Sequence, residues 1–210
     1  MRPNISWIVI DSVRSYKGAN DDRDLLDIFT SLNSKGSRYL NVQTSAPSTI
    51  MSTSSMMSGL DSIFHATTYD GFNARNNSVN YLSNFLKEHK YNVYFICFFT
   101  DGFRLLGDVF DGITTRKLKN MPSENRNWTN EEITKALKLL LKKNKIKEPY
   151  FFYINYNCRF DPKTNQEVCN GLNLVNNYFP NSENYLIFLW NFFRYKTQLH
   201  HLQLLRFWSI

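Results

Sequence analysis

Two stretches of this sequence hold residues that could do chemistry. The first is WIVIDSVR, residues 7–14, in which an apolar run ends on Asp11. A strand that delivers a carboxylate at its C-terminal end places it in the crevice where α/β sheets bind ligands, so Asp11 is a candidate metal ligand or base. The bland alternative is that Asp11 and Ser12 start a loop or cap a short helix. The second is TSAPSTIMSTSSMMSGL, residues 44–60, which is rich in Ser and Thr and carries no charge. After the turn at Pro47, Ser48 or Thr49 would open a helix whose N–H groups and dipole face whatever binds there. A hydroxyl in that place can be an N-cap. It can also be a nucleophile, if a divalent metal lowers its pKa and the helix terminus holds an anionic ester beside it. Met51, Ser55, Met56 and Leu60 fall on one helical face, and Gly59 is a C-cap candidate. Close packing of small side chains would explain the missing charge without catalysis. Ser and Thr are poor helix formers, so packing or a site must override propensity here.

The elements that position these residues are strands and helices in alternation. SWIVI (6–10), YLNVQT (39–44), NVYFICFF (92–99) and YFFYIN (150–155) are continuous apolar runs, as strands covered on both faces require. DDRDLLDIFTSLNSKG begins acidic and ends Lys-Gly, the polarity of a helix with a C-cap glycine. SVNYLSNFLKEHK places Val79, Leu82, Phe85 and Leu86 on one stripe, and WTNEEITKALKLLLKKNK carries Ile133, Leu137 and Leu140 behind an acidic first turn. Strand and helix in repetition predict a doubly wound, mostly parallel α/β sheet with flanking helices. The region after residue 158 is less regular. A turn and helix fit residues 157–179, a strand fits ENYLIFLW, and NFFRYKTQLHHLQLLRFWSI is aromatic without a clean period. The expected division is therefore a core over 1–157 and an atypical segment over 158–210.

With 210 residues, 42% hydrophobic and 20% charged, the chain has the composition of a globular protein of one α/β domain. Its net charge of +7 comes partly from the solvated face of KALKLLLKKNKIK and from Arg194, Lys196 and Arg206, beyond the last acid, Glu183. No nucleic-acid partner is expected from such a distribution. Cys97, Cys158 and Cys169 form no CxxC pair, which argues against a zinc knuckle or disulfide framework and fits a reducing, cytoplasmic setting. The apolar run before Asp11 is too short for a signal-peptide core, and YLIFLWNFF (185–193) is shorter than a bilayer span, so no stable membrane insertion is expected. Nothing in the sequence sets an oligomeric state.

PNISWIVIDSVR together with SAPSTIMSTSSMMSGL resembles the N-terminal half of the sulfatase branch of the alkaline phosphatase superfamily. In those enzymes an early strand after Pro-Asn ends in an acidic metal ligand, the place Asp11 takes here. A second element presents the nucleophile at a helix N-terminus. Aligning Ser45-Ala46-Pro47-Ser48 with the sulfatase motif puts Ser45 at the nucleophile but Thr49 where an arginine belongs. Counting back from Ser58-Gly59 puts Thr49 there instead. That register also places Ser52, Met56 and Ser58 as the phosphoethanolamine-transferase relatives place them. Thr49 is preferred, with Ser45 and Ser48 as alternates and no formylglycine chemistry. NYLSNFLKEHKYNVYFICF, FFTDGFRLLGDVFDGI and EPYFFYINY extend the resemblance over about residues 3–157.

The resemblance implies a divalent metal ion (Zn, Mn, Mg or Ca) held by Asp11 and Thr49, an anionic sulfate or phosphate ester as substrate, and Arg14 as a further cation at the oxyanion. It also implies an Asp-His ligand pair from the family's second half. This sequence has none; its histidines are His65, His89, His200 and His201. The expectation is thus a truncated or frame-shifted member, a metal-dependent hydrolase or transferase of sulfate or phosphate esters with a Thr nucleophile, with two alternatives: an inactive remnant of the same fold, or an unrelated α/β binding module.

Overall fold

The computed structural model describes residues 2–11, 36–38, 46, 48–67, 78–97, 113–114, 129–142, 146–157, 162–178, 184–191 and 203–207. Seven strands form one sheet: β1 (Asn4–Asp11), β2 (Gly36–Arg38), β3 (Asn92–Cys97), β4 (Ile113–Thr114), β5 (Tyr150–Asn157), β6 (Asn184–Asn191) and β7 (Gln203–Phe207). Their order is β2-β7-β6-β1-β5-β3-β4. The run β6-β1-β5-β3-β4 is parallel throughout, while β7 pairs antiparallel with β6 and with β2. The mostly parallel sheet follows from the apolar runs: β5 is buried along all but its last residue, a pattern only a strand covered on both faces can sustain.

Helices lie on both faces. On one face, α4 (Asn130–Lys142) and α5 (Pro162–Tyr178) cover Ile8, Ile10, Tyr94, Ile96, Phe152 and Ile154. The α4 stripe is as its spacing predicts, with Ile133, Leu137 and Leu140 buried. A reciprocal capping box opens this helix: the Glu132 N–H donates to Thr129 Oγ1 and the Thr129 N–H to Glu132 Oε2. Asn130 then pins the end of β5, donating from Nδ2 to the Asn157 carbonyl and accepting the Asn157 N–H. At the other end of the strands, Asn4 Oδ1 accepts the Tyr150 N–H and its amide donates to Glu148, which sets the register of β1 on β5.

On the opposite face, α1 (Thr49–Ser58), α2 (Ser62–His65) and α3 (Leu82–Glu88) follow one another. Met57, Tyr81 and Leu86 pack there against Val9, Phe95, Phe151 and Tyr153. The predicted α3 stripe is only partly correct. Leu86 and Ser83 are buried, but Phe85 is 47% exposed and stacks outside on His89 at 4.1 Å between ring centroids. The helix begins at Leu82, so Phe85 and His89 meet one turn apart on the solvent side. Cys97 is buried, and burial pushes its thiol well up, as expected of an inert core residue. The predicted strand over 39–44 and the predicted helix over 21–36 lie outside the described residues, except that β2 takes up Gly36. The predicted helix and strand after residue 158 are α5 and β6, and β6 pairs with β1 along its whole length. Among the described residues no helix is long and apolar enough to cross a membrane.

Candidate active site

β1 ends on Asp11, which is buried like Ile8, Val9 and Ile10 before it. Across the same edge, α1 starts at Thr49. The Thr49 hydroxyl donates to Asp11 Oδ2 at 3.3 Å, joining the two candidates the sequence placed 38 residues apart. The contact lies at the C-terminal edge of the parallel strands and at the N-terminus of a helix. These are the two places where α/β folds hold anions and cations.

The alternates separate from Thr49 in their surroundings. Ser48 is the N-cap of α1: its backbone is extended, and its hydroxyl accepts the Met51 N–H at 3.4 Å. That is the capping geometry expected of a serine at this position. Ser45 and Arg14 lie outside the described residues. At the far end of α1, Gly59 adopts a left-handed φ of 70° and its N–H closes on the Ser55 carbonyl. That conformation suits glycine, and it ends the helix.

The buried face of α1 differs from the predicted one. Ser52, Thr53, Ser54, Ser55 and Met57 are buried, whereas Leu60 is 39% exposed and Met51 and Met56 are half-buried. Sequence periodicity weights methionine over serine, but a short hydroxyl side chain fits closer to a sheet and can be satisfied locally. Ser58 donates to the Ser54 carbonyl at 2.7 Å, and Ser55 meets His65 Nε2 at 2.8 Å. His65 is fully buried, and its Nδ1 accepts the Thr67 N–H at 3.1 Å. The proton therefore sits on Nε2 and is donated to Ser55 Oγ, so a neutral imidazole ties α1 to the turn that follows it. Burial lowers the His65 pKa below its usual value, against a raising influence from a backbone hydrogen bond and from Asp61.

This neutral histidine has a thermodynamic consequence. Below the unfolded-state pKa near 6.5 the unfolded chain takes up a proton that the native ring resists, so stability falls as pH drops through that window. The expected slope from this one group is at most about 1.4 kcal/mol per pH unit. His65→Gln, which keeps a donor and an acceptor, should lose that slope below about pH 6.5 while the remaining slope is unchanged. Urea midpoints across this range measure the difference.

Three further residues share the site's face of the sheet, and none was singled out from the sequence. Thr53 lies one helical turn from Thr49 and is 1% exposed. Tyr153 and Asn155 stand on β5, both fully buried, with Asn155 in register with Val9 and Cys97 and Asn157 with Asp11. Burial pushes the Tyr153 phenol well above the ordinary tyrosine range. Cys97 and Asp11 push it further. Among the described residues the Asn155 amide oxygen is buried without a hydrogen-bond partner. A signal for Asn155 existed: it is the one amide inside the otherwise aromatic and aliphatic run YFFYIN.

The Asp11 carboxylate and the Thr49 hydroxyl are hard oxygen donors of the kind divalent cations take, and the Asn155 oxygen is a further acceptor on that face. Among the described residues no third His, Cys, Asp or Glu joins Asp11 in a cluster that could hold a metal ion. The donors fit part of a metal site.

The family model described as Sulfatase matches residues 3–158. The chain belongs to the sulfatase family. Both Asp11 and Thr49 fall inside the matched span of this sulfatase-family chain. No curated protein matches its sequence. Among solved structures, a protein in the alkaline phosphatase superfamily from Vibrio parahaemolyticus superposes with a TM-score of 0.71 at 11% identity, covering 99% of this chain and 60% of that one. The C-terminal periplasmic domain of EcEptC from Escherichia coli, in complex with Zn, gives 0.63 at 12% identity, covering 99% and 73%. The phosphonate monoester hydrolase of Agrobacterium radiobacter gives 0.68 at 9% identity, covering 98% and 68%. At such identities the likeness carries the fold alone: this chain has the α/β architecture of the alkaline phosphatase superfamily. It spans less than two thirds of the Vibrio chain.

Proposed function

We propose that this sulfatase-family chain carries the nucleophile side of a metal-dependent hydrolase or transferase acting on sulfate or phosphate esters, with Thr49 as nucleophile and Asp11 as a metal ligand. The observation that supports it most is the hydrogen bond from Thr49 Oγ1 to Asp11 Oδ2 where the strand end meets the helix start. A divalent cation, when bound by Asp11 and Thr49, supplies Lewis-acid chemistry that lowers a hydroxyl pKa and offsets charge on ester oxygens. Thr49 contributes the attacking oxygen: a bond from Oγ1 to the phosphorus or sulfur forms as the bond to the leaving alkoxide breaks. The threonine proton is directed at Asp11, and the leaving oxygen is protonated by water. Attack of water, or of an acceptor alcohol, on the Thr49 ester then frees the hydroxyl. The first-turn N–H groups of α1 and the helix dipole face the oxyanion. Arg14 is the proposed additional cation.

The ester class and the identity of the metal, among Zn, Mn, Mg and Ca, are set by experiment: turnover of 4-nitrophenyl phosphate and 4-nitrophenyl sulfate with each cation in turn. Metal-dependent turnover is expected, and Thr49→Ala should reduce kcat by on the order of 10³ or more, as loss of a nucleophile does. A second reading is a catalytically inactive member with the same fold. The absence of any Asp-His pair from the sequence favours it. No turnover with any of the four cations would support that second reading.

A further inference from the structure

Asn155 is fully buried near the C-terminal end of β5, and among the described residues neither its amide oxygen nor its amide nitrogen has a hydrogen-bond partner. A polar group taken out of water without such a partner is destabilising, and an apolar side chain of the same shape removes that cost. The in-register neighbours of Asn155 are Val9 on β1 and Cys97 on β3, both in the apolar core, beside which a leucine would pack without loss. Packing therefore gives no reason for an amide here.

Its position does. Side chains alternate along a strand, so Asn155, Tyr153, Val9 and Asp11 share one face of the sheet, the face on which Met57 of α1 packs. Asn157 is in register with Asp11. Asn155, two residues earlier, is therefore the diagonal neighbour of Asp11 on that face, a spacing at which polar ends can meet. Asp11 in turn receives the Thr49 hydroxyl from the start of α1. The strand end, the helix start and the buried amide converge on one place, with Asn155 on its inner side.

Building on the metal-binding role proposed for Asp11 and Thr49, we infer that Asn155 is a further ligand of the cation, supplying its amide oxygen from the buried side of the site. Amide oxygens are ordinary ligands of hard divalent ions. The choice of an amide also sets the charge. A divalent ion facing one carboxylate and a neutral amide keeps net positive charge for an anionic ester, which a second carboxylate would cancel.

The test uses the full chain as wild type, Asn155→Leu and Asn155→Asp, without any ester. Thermal midpoints are measured without metal and across titrations of Zn²⁺, Mn²⁺, Mg²⁺ and Ca²⁺, which yield a Kd for each cation that stabilises the fold. Asn155→Leu is expected to keep or raise the metal-free midpoint, since the buried amide is gone. Its cation Kd should weaken by at least about 10–100-fold, the loss seen when even a group supporting a ligand is removed. Asn155→Asp sets a second carboxylate beside Asp11, so it should be less stable than wild type without metal and gain more from the cation. An unchanged Kd in Asn155→Leu overturns the inference, as does a Kd weakened only in step with a lower metal-free midpoint. If Asn155→Leu does not fold, Asn155→Asp decides: a cation-induced gain larger than that of wild type supports the ligand role, and an equal or smaller one removes it. A wild type that none of the four cations stabilises overturns it as well. Failure of the proposed function has a different signature. A cation bound by wild type and lost in Asn155→Leu, with no turnover of 4-nitrophenyl phosphate or sulfate, supports the ligand and removes the activity. Metal-dependent turnover with the cation held equally well by Asn155→Leu retains the activity and removes the ligand.

Discussion

Asp11→Asn is expected to abolish metal-dependent activity while leaving the metal-free fold as stable as wild type or more so. The carboxylate is 5% exposed, and the Thr49 hydroxyl donates to its Oδ2. An ionised group in such surroundings is held out of water at a cost, whereas an amide of the same shape can still accept from Thr49. The fold therefore has little need of the negative charge. A cation does need it, because an amide oxygen offers no charge to a divalent ion. Loss of groups that merely support a metal ligand costs about 10–100-fold in affinity or activity, so loss of a ligand itself should exceed about 100-fold. The same effect has a readout that needs no substrate. At a cation concentration 100 times its Kd, the wild type should gain about 2.7 kcal/mol of stability, and Asp11→Asn should gain almost none. Thermal midpoints with and without Mn²⁺ or Zn²⁺ report it. A variant stabilised by the cation as much as wild type would remove Asp11 from the metal site.

Gly171→Ala is expected to be the most damaging conservative substitution in the described core. Gly171 lies within α5, where alanine would ordinarily improve helix propensity by about 1 kcal/mol. Here the new methyl carbon would stand 2.1 Å from the Tyr156 hydroxyl oxygen and 2.5 Å from its ring carbon, with Thr134 Oγ1 at 3.1 Å. Tyr156 is fully buried on β5, and burial raises its phenol pKa to about 12, so the ring has no open side to turn toward. Overpacking of this kind costs about 1–3 kcal/mol in typical cores, and the rigid aromatic neighbour places this case at the upper end. Steric cost outweighs propensity, for a net loss of about 2 kcal/mol. Tyr156→Phe removes the nearer of the two clashing atoms, so Gly171→Ala should cost less in that background. Denaturant midpoints of the four proteins in that cycle measure the coupling. A Gly171→Ala protein as stable as wild type would mean that α5 shifts freely on β5.

What the sequence revealed of this molecule depended on whether the determining interactions are local. β1, β3 and β5 are visible because burial on both faces demands an unbroken apolar run, and α4 because its acids, its cap and its apolar spacing agree. Asp11 and Thr49 are visible as a pair because each ends or begins an element with its own local signature. The buried face of α1 was read only in part: the predicted face holds Ser55, which is buried and tied to His65, but not Ser52, Thr53 and Ser54, which periodicity treats as polar and which are buried as well. Thr53, Tyr153 and Asn155 could not be assembled from spacing, since their meeting depends on the parallel register of β1, β5 and β3 across long crossovers. His65 met the same obstacle. Its partner is fixed by the turn through Gly59, and nothing in IFHATT announces a buried tautomer.

The central claim is that the Thr49 hydroxyl, held at Asp11, becomes the covalently modified atom. Incubating the full chain with an activating cation and 4-nitrophenyl phosphate or sulfate, quenching in acid and mapping the adduct by peptide mass spectrometry measures that directly. The account predicts one phosphoryl or sulfuryl group on Thr49, absent from Thr49→Ala and from the metal-free protein. An adduct on Ser45 or Ser48 with Thr49 unmodified would contradict it, as would turnover that continues undiminished in Thr49→Ala.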